Sequence, residues 1–193
     1  MKKIEVHRHS IKLGPGDTNL SDEGIHLAQE IGKNNLRGKN FSHIFVSSLK
    51  RTHDTAIEFM RGAGDFPHVS FQLFQPGIEV GGTDDALKLW SGVCNQAEHV
   101  GQDMLQAALQ KETKIAHEIA TKSAVSFRTW IASLPDGANA LVVGHSPFLE
   151  LMVYGLFKKI LPQLHYCEGF MLVEDHELLR FENLQNLLAS KAA

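Results

Sequence analysis

Three things are scarce in this chain, and each scarcity removes a class of protein. Cysteine occurs twice, at Cys94 and Cys167, with no Cys-x-x-Cys pattern. A disulfide framework is thereby excluded, and two reduced thiols fit an intracellular protein. Net charge is small, −3 over 193 residues. Bulk electrostatics therefore favour neither nucleic acid nor an anionic membrane, and any anion site must be built from a few local cations. Long apolar runs are missing too, since none approaches the roughly 18 residues that span a bilayer. The start, Met1-Lys2-Lys3-Ile4-Glu5, is too charged for a signal peptide. A cytoplasmic location is expected, with no nucleic-acid or membrane partner. Repeats, low-complexity tracts and linkers are absent, so residues 1–193 read as one domain. With 43% hydrophobic and 21% charged residues, the chain can bury an ordinary core.

Histidine, by contrast, is plentiful, with eleven copies. His7-x-His9 has the spacing of a metal pair, but no His, Asp or Glu follows at ligand spacing. Neither a metal nor a cofactor is expected. His7, His53 and His165 read most simply as structural or exposed.

The pattern along the chain alternates strands and helices. Lys3 to His7 reads as a short strand, with Ile4 and Val6 on one face. Residues 11–20 form a loop around Gly14-Pro15-Gly16-Asp17. Ser21 caps a helix reaching about Leu36, with Asp22 and Glu23 in its first turn. His43 to Ser47 is a second strand, and Ser48 is expected to cap the helix that follows. Val69 to Leu73 alternates as a third strand. From Pro76 to about Lys111 the pattern is poor, with short helices at Ala86–Trp90 and Asp103–Leu109, so 76–111 is read as an insertion or lid. Ile115, Ile119, Phe127, Trp130 and Leu134 stripe a long helix. Ala140-Leu141-Val142-Val143 is a buried central strand. Ser146-Pro147 should supply a cap and a first-turn proline to the next helix. Gly169–Val173 and Leu178–Phe181 read as a closing hairpin, and Leu187 to Ala193 as a frayed tail. Such alternation predicts an α/β fold with three layers, α/β/α, and a mostly parallel central sheet.

Ligands of open α/β sheets bind beyond the C-terminal ends of the strands. Arg8 and His9 end the first strand, Arg51 lies just after the second, and His145 ends the strand Ala140–Val143. All four therefore fall on one edge of one sheet. Two guanidiniums can grip the oxygens of a phosphate, and an imidazole can attack phosphorus at neutral pH. Helix starts at Ser48 and Ser146 are expected to turn further N–H groups toward that edge. The leaving alkoxide needs an acid.

These residues stand in motifs with a familiar order. Arg8-His9-Ser10 resembles the Arg-His-Gly of the histidine phosphatase superfamily, also called phosphoglycerate mutase-like. Leu20-Ser21-Asp22-Glu23-Gly24 resembles its Leu-Thr-x-x-Gly. Ser47-Ser48-Leu49-Lys50-Arg51-Thr52-His53-Asp54-Thr55-Ala56 resembles its Ser-Ser-Pro-Leu-x-Arg-x-x-x-Thr-Ala, and Val142-Val143-Gly144-His145 its Val-Val-x-His. The resemblance implies a phosphoglycerate mutase-like fold and a metal-independent phosphatase with His9 as the phosphorylated nucleophile. It implies Arg8, Arg51 and His145 as the phosphate pocket, His145 also acting in catalysis, and Glu79 as proton donor with Asp84 and Asp85 as rivals. Ser10 departs from the family glycine and could lend its hydroxyl to the phosphate. Ile11-Lys12 departs from the Glu-Thr that follows in many members. The implied substrate is a phosphorylated small molecule or a phosphoprotein, handled by a monomer or homodimer. A mutase and an inactive phosphate-binding module are the competing readings.

Overall fold

The computed structural model describes residues 1–14, 18–64, 71–73, 84–176 and 178–183. The chain divides into two compact units, Met1–Phe74 with Leu134–His145 and His165–Ala193, and Gln75–Ser133 with Ser146–Leu164.

The first unit is built on a six-stranded sheet. Its strands are β1 (Lys2–Arg8), β2 (His43–Val46), β3 (Phe71–Leu73), β4 (Asn139–Gly144), β5 (Gly169–Asp175) and β6 (Leu178–Asn183), in spatial order β3-β2-β4-β1-β5-β6. The first four of that order run parallel, and β5 and β6 close the edge as an antiparallel hairpin. The sheet is thus parallel on one side and antiparallel on the other. Register sets Arg8 beside Gly144 and Val46 beside Val143, so the C-terminal ends of β1, β2 and β4 line up.

Two helices pack on one face of this sheet. Helix α1 (Asp22–Ile31) starts where Ser21 accepts a hydrogen bond from Gly24 N at 3.0 Å, with Asp22 and Glu23 complementing the dipole. The expected helix reached Leu36; residues Gly32–Leu36 instead form a π-helical turn. Helix α2 (Lys50–Ala63) lies against α1 through two glycines. A Cβ on Gly32 would sit 2.0 Å from Phe59 O, and one on Gly62 2.0 Å from Gln29 O. Only glycine lets the two backbones approach this closely. Gly62 lies inside the helix, and Gly64 in the left-handed region supplies the stop. Phe59, Met60, Ile44, Val46, Leu141 and Val143 form the core beneath, each such large side chain contributing about 1.5–3 kcal/mol on burial.

Both expected serine caps are corrected. Helix α2 begins at Lys50 with Leu49 as its cap residue, and no side chain bonds to that end. The pairing of Ser47 Oγ with Thr52 Oγ1 at 3.0 Å, and its acceptance of Leu49 N at 3.3 Å, organises the turn in place of Ser48. Helix α6 (Phe148–Phe157) has Pro147 as its cap residue. Ser146 spends its hydroxyl proton on Glu150 Oε1 at 2.5 Å, so it does not cap the helix.

The second unit is helical. It holds α3 (Asp84–His99), α4 (Met104–Lys111), α5 (Thr113–Ser133) and α6. Helix α3 is far longer than Ala86–Trp90. Trp90, Cys94 and Ala97 are buried at helical spacing, and Gly92 between them faces open space, so it need not break the helix. These residues pack with Met104, Leu105, Ile119 and Leu151. Asp103 caps α4 by accepting from Gln106 N at 2.9 Å, while its other oxygen accepts from Gln163 N at 2.9 Å. Residues 74–83, which include the start of the span 76–111 expected to be an insertion or lid, and the tail 184–193 lie outside the described residues. Among the described residues no helix is long and apolar enough to cross a membrane.

Candidate active site

The strand ends of β1 and β4 and the start of α2 bring four sequence-nominated side chains together. Arg8 is the last residue of β1, and His9 follows it, its backbone N–H donating to Gly144 O at 2.9 Å. That bond ties the nucleophile candidate to β4, whose next residue is His145. Arg51 is the second residue of α2. Its Nε donates to His9 Nε2 at 3.1 Å.

The His9 ring is fixed at both nitrogens. Its Nδ1 lies 2.6 Å from Ser10 O. A carbonyl can only accept, so Nδ1 carries the proton there. Nε2 then holds a lone pair, the state in which it can accept from Arg51 or attack an electrophile.

Electrostatics reinforces that state. His9 is 4% exposed and Arg8 8% exposed. Burial, first, and then the charges of Arg51, Arg8 and His145 push His9 down to about 3, against the pull of the Ser10 carbonyl bond. Burial, then Arg51 and Arg8, lower His145 to about 4. Arg51 is itself lowered, by burial first and by Arg8 second. Two guanidiniums and two neutral imidazoles thus crowd one spot, an arrangement that attracts an anion.

Ser10 is fully buried, and all its polar groups are engaged. Its N–H donates to Thr55 Oγ1 at 2.9 Å, its hydroxyl donates to Gly24 O at 2.6 Å, and its carbonyl accepts from His9. The hydroxyl has one proton, and Gly24 takes it. Ser10 therefore reaches the site through its carbonyl. Gly24 in turn is forced: a Cβ there would lie 2.1 Å from Ile11 O. Thr55 completes the link by donating to Arg51 O at 2.7 Å, so the loop after β1 is pinned to both helices.

One residue at the site was not nominated from sequence. Tyr166 lies with its ring centroid 4.6 Å from the Arg8 guanidinium carbon and 5.8 Å from the His9 ring. In the antiparallel register of β5 with β1, Gly169 pairs His7, which carries the residues before Gly169 toward His9. Beneath the site, His7 is buried with Nε2 3.0 Å from Glu5 Oε1 and Nδ1 2.9 Å from Cys167 O. It is structural, as expected. Glu5, 2% exposed, also accepts from Lys39 Nζ at 2.5 Å. Its carboxyl is lowered, because the His7 and Lys39 contacts outweigh burial, which alone would raise it.

The acid candidates are not brought to this cluster by anything described. Glu79 lies outside the described residues, and Asp84 and Asp85 are placed only as backbone, in the first turn of α3. Among the described residues, no group of three or more His, Cys, Asp or Glu is gathered to hold a metal ion.

Comparison with known proteins gives a family resemblance over part of the chain and a fold for nearly all of it. The family model "Histidine phosphatase superfamily (branch 1)" matches residues 5–73, a span that holds Arg8, His9, Ser10 and Arg51. The fold is phosphoglycerate mutase-like. A phosphoglycerate mutase from Bacillus anthracis str. Sterne matches with a TM-score of 0.65 at 15% identity, over 98% of this chain and 96% of its own. A phosphoserine phosphatase from Entamoeba histolytica, solved with 3-phosphoglyceric acid, matches at 0.64 and 17%, over 97% of this chain and 100% of its own. A mycobacterial glucosyl-3-phosphoglycerate phosphatase matches at 0.61 and 16%, over 95% and 98%. No curated protein matches by sequence. The family model thus covers three of the four motifs read from the sequence, and the fold is the phosphoglycerate mutase-like one they imply.

Proposed function

We propose that this protein is a metal-independent phosphohydrolase that works through a phosphohistidine on His9. The observation that carries the reading is the double tether of His9: Nδ1–H to Ser10 O, and Nε2 facing Arg51 Nε. It supports a neutral, oriented nucleophile beside a guanidinium.

In the proposed reaction a phosphomonoester dianion displaces the Arg51–His9 contact and is held by Arg8 and Arg51. Nε2 attacks phosphorus in line with the ester oxygen. The N–P bond forms, the P–O bond breaks, and a carboxylic acid gives its proton to the departing oxygen. Water then attacks phosphorus: the new P–O bond forms as the carboxylate takes a proton from the water, the N–P bond breaks with its electron pair returning to Nε2, and inorganic phosphate leaves. The two guanidiniums stabilise charge on the equatorial oxygens throughout. His145 starts neutral; a bound dianion offsets the arginine charges and favours its protonation, letting it donate to the same oxygens. Glu79 is the proposed acid, with Asp84 and Asp85 as rivals. Two free buried thiols, Cys94 and Cys167, fit a cytoplasmic setting.

The substrate is proposed only by class, a phosphorylated small molecule or a phosphoprotein. Hydrolysis of p-nitrophenyl phosphate without added metal, lost in His9→Ala, tests the reading. Phosphate or vanadate binding that raises the melting temperature without turnover would identify an inactive binding module instead. Transfer to a second hydroxyl in preference to release of free phosphate would identify a mutase.

A further inference from the structure

The segment Tyr166-Cys167-Glu168 is held to β1 more firmly than an ordinary connection. Arg8 N donates to Glu168 O at 2.8 Å, and Cys167 N donates to His9 O at 3.4 Å. The buried His7 ring donates through Nδ1 to Cys167 O at 2.9 Å. Glu168 folds back on the turn, its N–H donating to His165 O at 3.1 Å and its Oε2 accepting from His165 N at 2.7 Å. Cys167 itself sits at φ 60°, a left-handed conformation that side-chain-bearing residues adopt only when the surroundings impose it. Five hydrogen bonds and one strained residue thus set the position of Tyr166.

What they present is an aromatic wall. The Tyr166 ring faces the Arg8 guanidinium at 4.6 Å, within the range of a cation–π contact. Against His9 it lies at 5.8 Å with the planes at 51°. One half-buried ring therefore reaches two of the four side chains assigned to the phosphate.

We propose that Tyr166 is a positioning residue of this site, its ring holding the Arg8 guanidinium plane and keeping water from the His9 imidazole. The proposal rests on the phosphatase reading for its effect on turnover, but not for its effect on His9. A long arginine side chain has many rotamers, and a ring on one face removes most of them before any phosphate arrives. The same ring contributes to the burial that, with Arg8, Arg51 and His145 around it, keeps His9 neutral.

The test uses three variants of the full chain. Tyr166→Phe keeps the ring, Tyr166→Leu keeps bulk without a π face, and Tyr166→Ala removes both. NMR of the His9 ring protons across pH 5–8 reads its protonation, and calorimetry reads binding of inorganic phosphate. The Phe variant should leave His9 neutral over that range and phosphate affinity within about twofold of wild type. The Ala variant should make His9 titrate between pH 5 and 7 and weaken phosphate binding roughly tenfold. Leu should keep His9 neutral while still losing phosphate affinity. Folded Ala and Leu variants with wild-type phosphate binding and a His9 that never titrates would overturn the proposal. If the wild type turns over no phosphomonoester, the phosphatase reading fails while both of these readouts remain decisive for Tyr166.

Discussion

Acidification should weaken this protein in a way that can be assigned to two named side chains. His9 and His145 are held neutral in the fold, His9 down to about 3 and His145 down to about 4. In the unfolded chain each returns to about 6.5. Below that value the unfolded state binds more protons than the native state, so stability falls as pH falls. The loss begins near pH 6.5 and continues until the native values are reached. At pH 5 the solution is about 1.5 units below the unfolded pKa of each group, and at about 1.4 kcal/mol per unit each costs roughly 2 kcal/mol. Together they remove roughly 4 kcal/mol between pH 7.5 and 5, a large share of a typical 5–15 kcal/mol total. Urea unfolding at the two pH values measures this directly. The carboxylates contribute mainly below pH 4.5, and comparison with His9→Gln and His145→Gln removes their share. Each variant should show only about half of the wild-type pH dependence. A His9→Gln protein that loses as much stability as wild type between pH 7.5 and 5 would refute the reasoning, because His9 would then be free to charge in the fold.

Other consequences follow from single contacts. Arg51→Lys keeps the charge but cannot reproduce the planar Nε–H donor to His9 at 3.1 Å; turnover of p-nitrophenyl phosphate should fall roughly 10- to 100-fold with little change in melting temperature. Ser10→Ala leaves the Gly24 carbonyl without the hydroxyl donor at 2.6 Å, which should cost about 1–3 kcal/mol in denaturant unfolding. Gly62→Ala drives a methyl group to 2.0 Å from Gln29 O, so α1 and α2 must separate, and a loss of about 2–4 kcal/mol is expected with the site chemistry itself untouched.

Much of the fold was legible because its signals are local. Ser21, with two acids after it, marks the start of α1, and the continuous Ala140–Val143 run marks a central strand. The phosphate cluster was legible for a topological reason. Residues that end parallel strands share one edge, so Arg8, His9 and His145 could be grouped before any geometry was known. What failed was fine chemistry at helix starts. Ser48 and Ser146 have the right residue type for a cap, but Ser47 with Thr52 and Ser146 with Glu150 form bonds that propensity does not foresee. Helix α3 runs past the expected Ala86–Trp90 to His99 because Trp90, Cys94 and Ala97 recur at helical spacing and are buried, a stripe too sparse to stand out in a poor pattern. Ser10 was read as a hydroxyl for the phosphate; the partner that claims its proton, Gly24, is 14 residues away and meets it only through folding. Tyr166 carries no motif at all, and its place depends on a strand running antiparallel to β1.

The central claim is that His9 carries the phosphoryl group. The most direct measurement is rapid acid-free quenching of the protein during turnover of a labelled phosphomonoester, followed by peptide mapping. The account predicts a base-stable, acid-labile phosphate on the peptide holding His9 in wild type, absent in His9→Ala, with turnover lost in step. Turnover that persists in His9→Ala, or a phosphoenzyme whose label maps to another residue, would contradict it.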